Sequence, residues 1–243
     1  MAPAAPRIYR YRHRTHGLVA FEVRCQQTDL WVRASAPLAV ATRDAVLGCR
    51  LRLESYIRHH PRFLGSLEPL DDDPLAPAIV RNMLKAGQLA GVGPMAAVAG
   101  AIAEQVVERL RPFSSETIVE NGGDCFIDVR QPLTVGIFCG EASPFKDHLA
   151  LHLAPERFPL AICTSSGTIG HSLSLGRADA VTVLARDAAL ADAAATAIGN
   201  LVKTPADLEQ AVEFGRQIPG LDGILLVIGE QLTAWGNIEL APA

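Results

Sequence analysis

The order in which strand-like and helix-like segments follow one another is the strongest constraint on this fold. Short apolar or alternating runs at 117–120, 125–129, 133–139, 149–153 and 160–164 succeed each other with only turns between them. Helical segments gather before this block, at 37–60, 75–86 and 95–110, and after it, at 188–201 and 205–216. A strand at 180–185 leads into the 188–201 helix, and strands at 223–228 and 231–235 close the chain. Residues 8–34 add further β-structure, since Val19, Phe21 and Val23 alternate with Ala20, Glu22 and Arg24. Such blocks exclude strict βαβ alternation. They predict an α+β fold, a mainly antiparallel sheet with packed alanine-rich helices.

The chain has 243 residues, of which 49% are hydrophobic and only 5% aromatic. That is enough for a sizeable core within one domain spanning 1–243, with a two-lobed arrangement as the variant. The acidic loop at 70–74, Leu-Asp-Asp-Asp-Pro, is the most linker-like stretch. Five widely spaced cysteines and no CxxC pair disfavour a disulfide framework or structural zinc and favour a reducing compartment. Residues 1–6 lack a charged segment followed by an apolar one, so no secretory signal is expected. Two uncharged stretches, 86–103 and 158–176, are broken by Pro94 and glycines or by His171 and hydroxyls. No membrane partner and a cytoplasmic location are therefore expected.

Charge is unevenly distributed. Residues 1–62 hold 11 Lys and Arg against 4 Asp and Glu, whereas residues 63–243 hold 11 against 22. The densest basic run, Arg7, Arg10, Arg12 and Arg14, alternates with Ile8, Tyr9, Tyr11 and His13 in the pattern of a half-exposed strand. No zinc-finger spacing or recognition-helix pattern accompanies it, so no nucleic-acid partner is expected. A wall facing a phosphorylated ligand is the minority reading.

Four segments are candidates for chemistry. In Glu120-Asn121-Gly122-Gly123-Asp124, paired glycines open backbone conformations closed to other residues. Asn121 and Asp124 can then bond a ligand or a neighbouring turn, and spacing alone favours a plain hairpin. Thr164-Ser165-Ser166-Gly167-Thr168 follows a strand directly and offers hydroxyls and amides suited to an anion. His171 stands where it can donate to a phosphate or act as general acid. A polar loop with a surface histidine is the bland alternative, but the loop exceeds what a connection requires. There is no GxSxG elbow for a Ser–His hydrolase, and Cys163 has no nucleophile signature. In the 188–201 helix, Asp192, Thr196 and Asn200 recur at i, i+4 and i+8, placing oxygen-bearing groups on one face. Hard cations such as Mg²⁺ take such ligands, although a dipole-favouring aspartate in a polar stripe explains the spacing somewhat better. Finally, Gly91 to Gly100 leads into a helix N-terminus, which suits an anion, but tight packing of small residues explains it equally. Walker A and Rossmann fingerprints are absent.

Taken together and in this order, these segments resemble the ApbE-like superfamily, whose best-known members are FAD:protein FMN transferases. Those enzymes carry a G-x-A-K-G helix, a GGD turn, a T-S-G loop, a histidine segment and an A-D-A-x-A-T-A helix. The counterparts here are 96–100, Gly122-Gly123-Asp124, 164–167, His171 and 191–197. An uncharacterised branch of the superfamily is closer still, through 93–100, 120–124 and 164–172. The resemblance implies Mg²⁺ held by Asp192 and Thr196 with the main-chain carbonyl of Val98. It also implies FAD or another phosphorylated small-molecule ligand at Gly122, Gly123, Asp124, Thr164, Ser165, Ser166 and Gly167, with His171 as acid/base or phosphate donor. The metal would lie beside the pyrophosphate and neutralise charge as the phosphoanhydride is cleaved. Two departures stand out. Ala99 replaces the family lysine, and the H-x-I-D-P-x-T-G segment becomes His171-Ser172-Leu173-Ser174-Leu175-Gly176. They leave a Mg²⁺-dependent transferase or hydrolase in cofactor metabolism as the first reading. A non-catalytic ligand-binding or assembly module is the second, and unrelated chemistry on a small acidic or pterin-like substrate the third. Pairing as a homodimer through the alanine-rich helices and a short N-terminal sheet is compatible with all three.

Overall fold

The computed structural model describes residues 17–141, 143–146, 148–167 and 175–242. The hairpin β1 (Val19–Cys25) and β2 (Thr28–Ala34) precedes four helices: α1 (Ala39–His59), α2 (Arg62–Gly65), α3 (Ala78–Ala90) and α4 (Val98–Leu110). Strands β3 (Thr117–Asn121), β4 (Asp124–Asp128), β5 (Leu133–Gly136), β6 (Ala150–Leu153), β7 (Leu160–Ser165) and β8 (Ala180–Ala185) follow. Helices α5 (Ala188–Leu201) and α6 (Leu208–Arg216) come before β9 (Leu221–Ile228), β10 (Gln231–Gly236) and the two-residue β11 (Leu240–Ala241). Among the described residues, eight strands make one sheet in the order β1-β2-β3-β4-β7-β8-β9-β10, and β11-β6-β5 make a small second one. Every pairing is antiparallel. The α+β architecture expected from the block order is the one observed.

Strand alternation sorts the core into two layers. Val32, Val119, Phe126, Cys163 and Val183 face the helices. Ile118, Ile127, Ile162, Leu184 and Leu225 face the other way, against Leu151 and Leu153 of the small sheet. Helix α5 is the centre of the helical layer: each residue from Ala188 to Ala195 is buried, and it packs on α3, α4, β7 and β8. A helix apolar on all sides has to be enclosed, and alanine lets its neighbours come close.

Several boundaries differ from the sequence expectation. Gly87 does not end α3; the helix runs on to Ala90 and closes at Gly91, in the left-handed region at φ +75°. Gly87 is needed within the helix because a Cβ there would lie 2.7 Å from the Val92 carbonyl oxygen. The expected 95–110 helix opens instead as a 3₁₀ turn, Pro94–Ala97, before α4. The acidic loop is fastened to its surroundings: Tyr56 Oη donates to Asp73 Oδ2 at 3.0 Å, and Gln88 Nε2 donates to the Leu70 carbonyl at 2.8 Å. Residues 1–16, including the arginine run, lie outside the described residues.

Helices α4 and α5 cross near their N-terminal ends. A Cβ on Gly100 would lie 2.2 Å from the Ala188 carbonyl oxygen, so the approach requires glycine. The crossing exchanges caps. No side chain at the α4 N-cap bonds its first turn; instead, the Gly100 N–H donates to Asp192 Oδ2 of α5 at 2.9 Å. Reciprocally, the Ala188 N–H donates to Glu104 Oε2 of α4 at 2.9 Å. The N-cap Asp187 accepts from the Leu190 N–H beside it. Carboxylates there answer both the unpaired amides and the positive ends of the helix dipoles.

Burial pushes the Glu104 carboxyl up to about 7 from an ordinary 4.5; Asp187 and Glu108 reinforce this, while the Ala188 N–H and Arg111 oppose it. Between those values the folded state holds a proton that the unfolded state has lost, so this contribution to stability falls as pH rises from about 4.5 to about 7. Glu104→Gln is expected to flatten that decline by at most about 3 kcal/mol, measured by urea denaturation across the window; an unaltered slope would contradict it. Gly100→Ala is expected to cost about 1–3 kcal/mol through overpacking. Calorimetry should then show Tm lowered by about 2–12 °C for a chain of this size.

Candidate functional site

The turn joining β3 to β4 consists of Gly122 and Gly123, at φ +74° and +110°. Two residues at positive φ make the tight hairpin whose twist suits antiparallel strands. The GGD run is thus a hairpin turn, and the same turn places Asn121 opposite Asp124. Asn121 Nδ2 donates to the Ala99 carbonyl in the first turn of α4, at 3.0 Å. Asp124 is only 8% exposed, and its Oδ1 accepts from the Thr164 N–H at 3.2 Å. Gly123 donates its N–H to Glu120 Oε1 at 2.8 Å, tying the turn down.

Asp124 and Asp192, distant in sequence, lie close enough for the charge of Asp192 to act on Asp124. Asp192 is 9% exposed, and burial lifts it to about 7 against the opposing hydrogen bonds from Gly100 and Ala99. Burial also holds Asp124 well above the ordinary carboxylate range, helped by the charges of Asp192 and Glu120 and opposed by bonds from Thr164 and Cys163. None of the ion pairs among the described residues involves either aspartate. The Cys163 thiol is pushed up by burial and by the charges of both aspartates, which makes it a poor nucleophile.

Among the described residues, no three His, Cys, Asp or Glu side chains cluster as metal ligands. Residues able to hold an ion here form a mixed set. Asp192 would supply a carboxylate, Thr196, half-buried one turn along α5, a hydroxyl, and Val98 a main-chain carbonyl from the first turn of α4. An all-oxygen set of this kind suits a hard divalent cation such as Mg²⁺. Asn200 belongs elsewhere: its Oδ1 accepts from the Leu175 N–H at 2.9 Å. The expected i, i+4, i+8 stripe thus serves two attachments: Asp192 bonds the Gly100 amide and Asn200 the Leu175 amide.

The hydroxyl loop starts at the end of β7. Thr164 shares a hydrogen bond with Thr182 at 2.9 Å, and the Gly167 N–H donates to the Ala178 carbonyl at 2.9 Å. Ser165 and Ser166 are half-buried, and Ser165 faces Gly199 of α5, where a Cβ would lie 3.7 Å from its Oγ. The backbone donors of Thr164 and Gly167 are therefore engaged within the fold. Any anion contact from this loop would rest mainly on side-chain hydroxyls. His171 and Thr168 lie outside the described residues. The residue that sequence reasoning overlooked is Glu104; four positions beyond Gly100, it shares one face of α4 with it.

The fold is that of the ApbE-like proteins. The apo flavinyl transferase ApbE of Pseudomonas stutzeri superposes with a TM-score of 0.59 at 15% identity, over 90% of this chain and 94% of that one. The ApbE protein of Thermotoga maritima gives 0.57 at 14% identity, over 89% and 96%. The family described as AbpE bacteria matches residues 10–234, and the chain belongs to it. Among its relatives, a UPF0280 protein of Methanocella arvoryzae is 40% identical over 214 residues, 88% of this chain and 86% of that protein. A UPF0280 protein of Archaeoglobus fulgidus is 44% identical over 199 residues, 80% and 81% of the two chains.

Asparagine at 192 keeps an acceptor for the Gly100 N–H and removes one buried charge. In metal-free buffer at pH 8, Asp192→Asn is expected to melt at or above the wild-type temperature. Asp192→Ala leaves that amide unpaired and should cost about 1–3 kcal/mol. Equal losses in the two variants would show that repulsion between the aspartates is not felt.

Proposed function

We propose that this chain binds a phosphorylated, nucleotide-like cofactor together with Mg²⁺ at the Asp124–Asp192 site, and acts there as a transferase or hydrolase at a phosphate bond. The observation that supports the reading is a pair of buried carboxylates, Asp124 and Asp192, that act on each other electrostatically and take part in no ion pair among the described residues. A divalent cation relieves that repulsion, and a phosphate supplies the remaining anionic ligands the cation prefers. Asp192, Thr196 and the Val98 carbonyl would hold the ion, and bound Mg²⁺ would supply neutralisation of phosphate charge during cleavage.

The chain's own groups have separate tasks in this reading. Asn121 fixes the first turn of α4 through the Ala99 carbonyl. Gly122 and Gly123 leave room beside the turn, and Asp124 borders the cation. Thr164, Ser165, Ser166 and Gly167 border the ligand, and His171 serves as acid/base or phosphate donor. With FAD as probe, hydrolysis adds water across the pyrophosphate and yields FMN and AMP. All five cysteines are free thiols, which supports a reducing compartment such as the cytoplasm. Among the described residues, no single helix is long and apolar enough to cross a membrane.

One observation favours a second reading. Ala99 stands where the flavin transferases have lysine, so a phosphate here lacks that cation. A binding or assembly module that retains the ligand without turning it over fits this loss. Incubation with FAD and Mg²⁺, followed by chromatography, separates the readings. FMN and AMP, formed by wild type and lost in Asp192→Ala, are the expected outcome. Retained but unaltered FAD favours the module. Absence of binding, with Mg²⁺ or without, contradicts both.

A further inference from the structure

We propose that Glu104 is the positioning residue of this site: by fastening the α5 N-terminus to α4, it holds Asp192 against the first turn of α4. The inference rests on Asp192 being the cation ligand of the proposed function. Its basis is a closed rectangle of contacts. Gly100 and Glu104 are four residues apart on one face of α4, and Ala188 and Asp192 are four apart on one face of α5. Hydrogen bonds of 2.9 Å join Gly100 to Asp192 and Glu104 to Ala188. Between them the backbones touch, since a Cβ on Gly100 would lie 2.2 Å from the Ala188 carbonyl oxygen and 3.0 Å from Asp192 Cβ.

Two bonds one helical turn apart fix more than separation. The bond at Gly100 holds the Asp192 carboxylate one turn into α5. The second bond, at Ala188, ties the first residue of α5 to α4 and keeps that turn in register. Glu104 Oε2 accepts the Ala188 N–H, and the charged neighbours of Glu104 are Asp187, Glu108 and Arg111. Removing its oxygen leaves a buried amide unpaired at the start of α5, a defect that local opening can relieve.

Amide hydrogen exchange on the metal-free full chain tests the coupling directly. In Glu104→Leu, the Ala188 amide is expected to exchange about tenfold faster or more, and the Gly100 amide to follow it, while β8 and β9 amides keep their protection. Glu104→Gln, which retains an acceptor oxygen, should restore both amides. Glu104→Asp, one methylene shorter, should fall between them and serves if the leucine variant does not fold. Calorimetric titration with Mg²⁺ alone should show the same ranking, with the Leu variant weakened about tenfold and Gln close to wild type. Faster exchange at Ala188 with unchanged protection at Gly100 would overturn the proposal. Wild-type protein that binds no Mg²⁺ would overturn the cation reading of Asp192, and the exchange pattern would still decide whether Glu104 positions that residue.

Discussion

The backbone contact between Gly100 and Ala188 sets the geometry on which the rest of the structure depends. It brings two helix N-termini to one place, each carrying unpaired amides and the positive end of a dipole. Carboxylates from the opposite helix satisfy them, Asp192 for α4 and Glu104 for α5. The alanines that let α5 lie buried between α4 and the sheet follow from the same requirement. So does the acidic character of the site: the groups that cap the helices also carry charge into a poorly solvated place.

That arrangement carries a tension between stability and chemistry. As a cap, Asp192 is favourable; as a charge beside Asp124, it is not, and burial lifts both carboxyls above their ordinary range. Protonation or a cation relieves the conflict, and the choice between them depends on pH and on ligand. Sites that pay stability in this way are typical of metal and phosphate chemistry, where preorganised charge is useful only once its partner arrives. Cys163, lying beneath the two aspartates with its thiol suppressed, contributes packing and a hydrogen bond.

Local patterns were readable from the sequence and long-range meetings were not. Strand blocks announced the antiparallel sheet because turns between antiparallel neighbours are short. The two glycines at 122 and 123 announced their own turn. Periodicity placed Asp192 and Thr196 on one face of α5, but could not show that Asn200, on the same stripe, reaches out to the Leu175 amide. Nor could it show Asp192 reaching the Gly100 amide, or Glu104 that of Ala188, since those contacts are made by packing. Gly87 misled for the same reason: a helical glycine that admits the Val92 carbonyl reads like a terminator. Strand β11 was invisible because two residues have no period, and only pairing with β6 defines them.

The central claim is that Asp192 and Thr196, rather than merely trimming a helix interface, form one side of a divalent-cation site next to a phosphate. Crystals grown with Mn²⁺ in place of Mg²⁺ and with ADP as phosphate source test it most directly, because Mn²⁺ scatters anomalously. The account predicts an anomalous peak in coordinating contact with the Asp192 carboxylate, the Thr196 hydroxyl and the Val98 carbonyl, bridged to a phosphate oxygen. A well-ordered ADP with its Mn²⁺ bound elsewhere, and Asp192 still bonded only to the Gly100 amide, would contradict it.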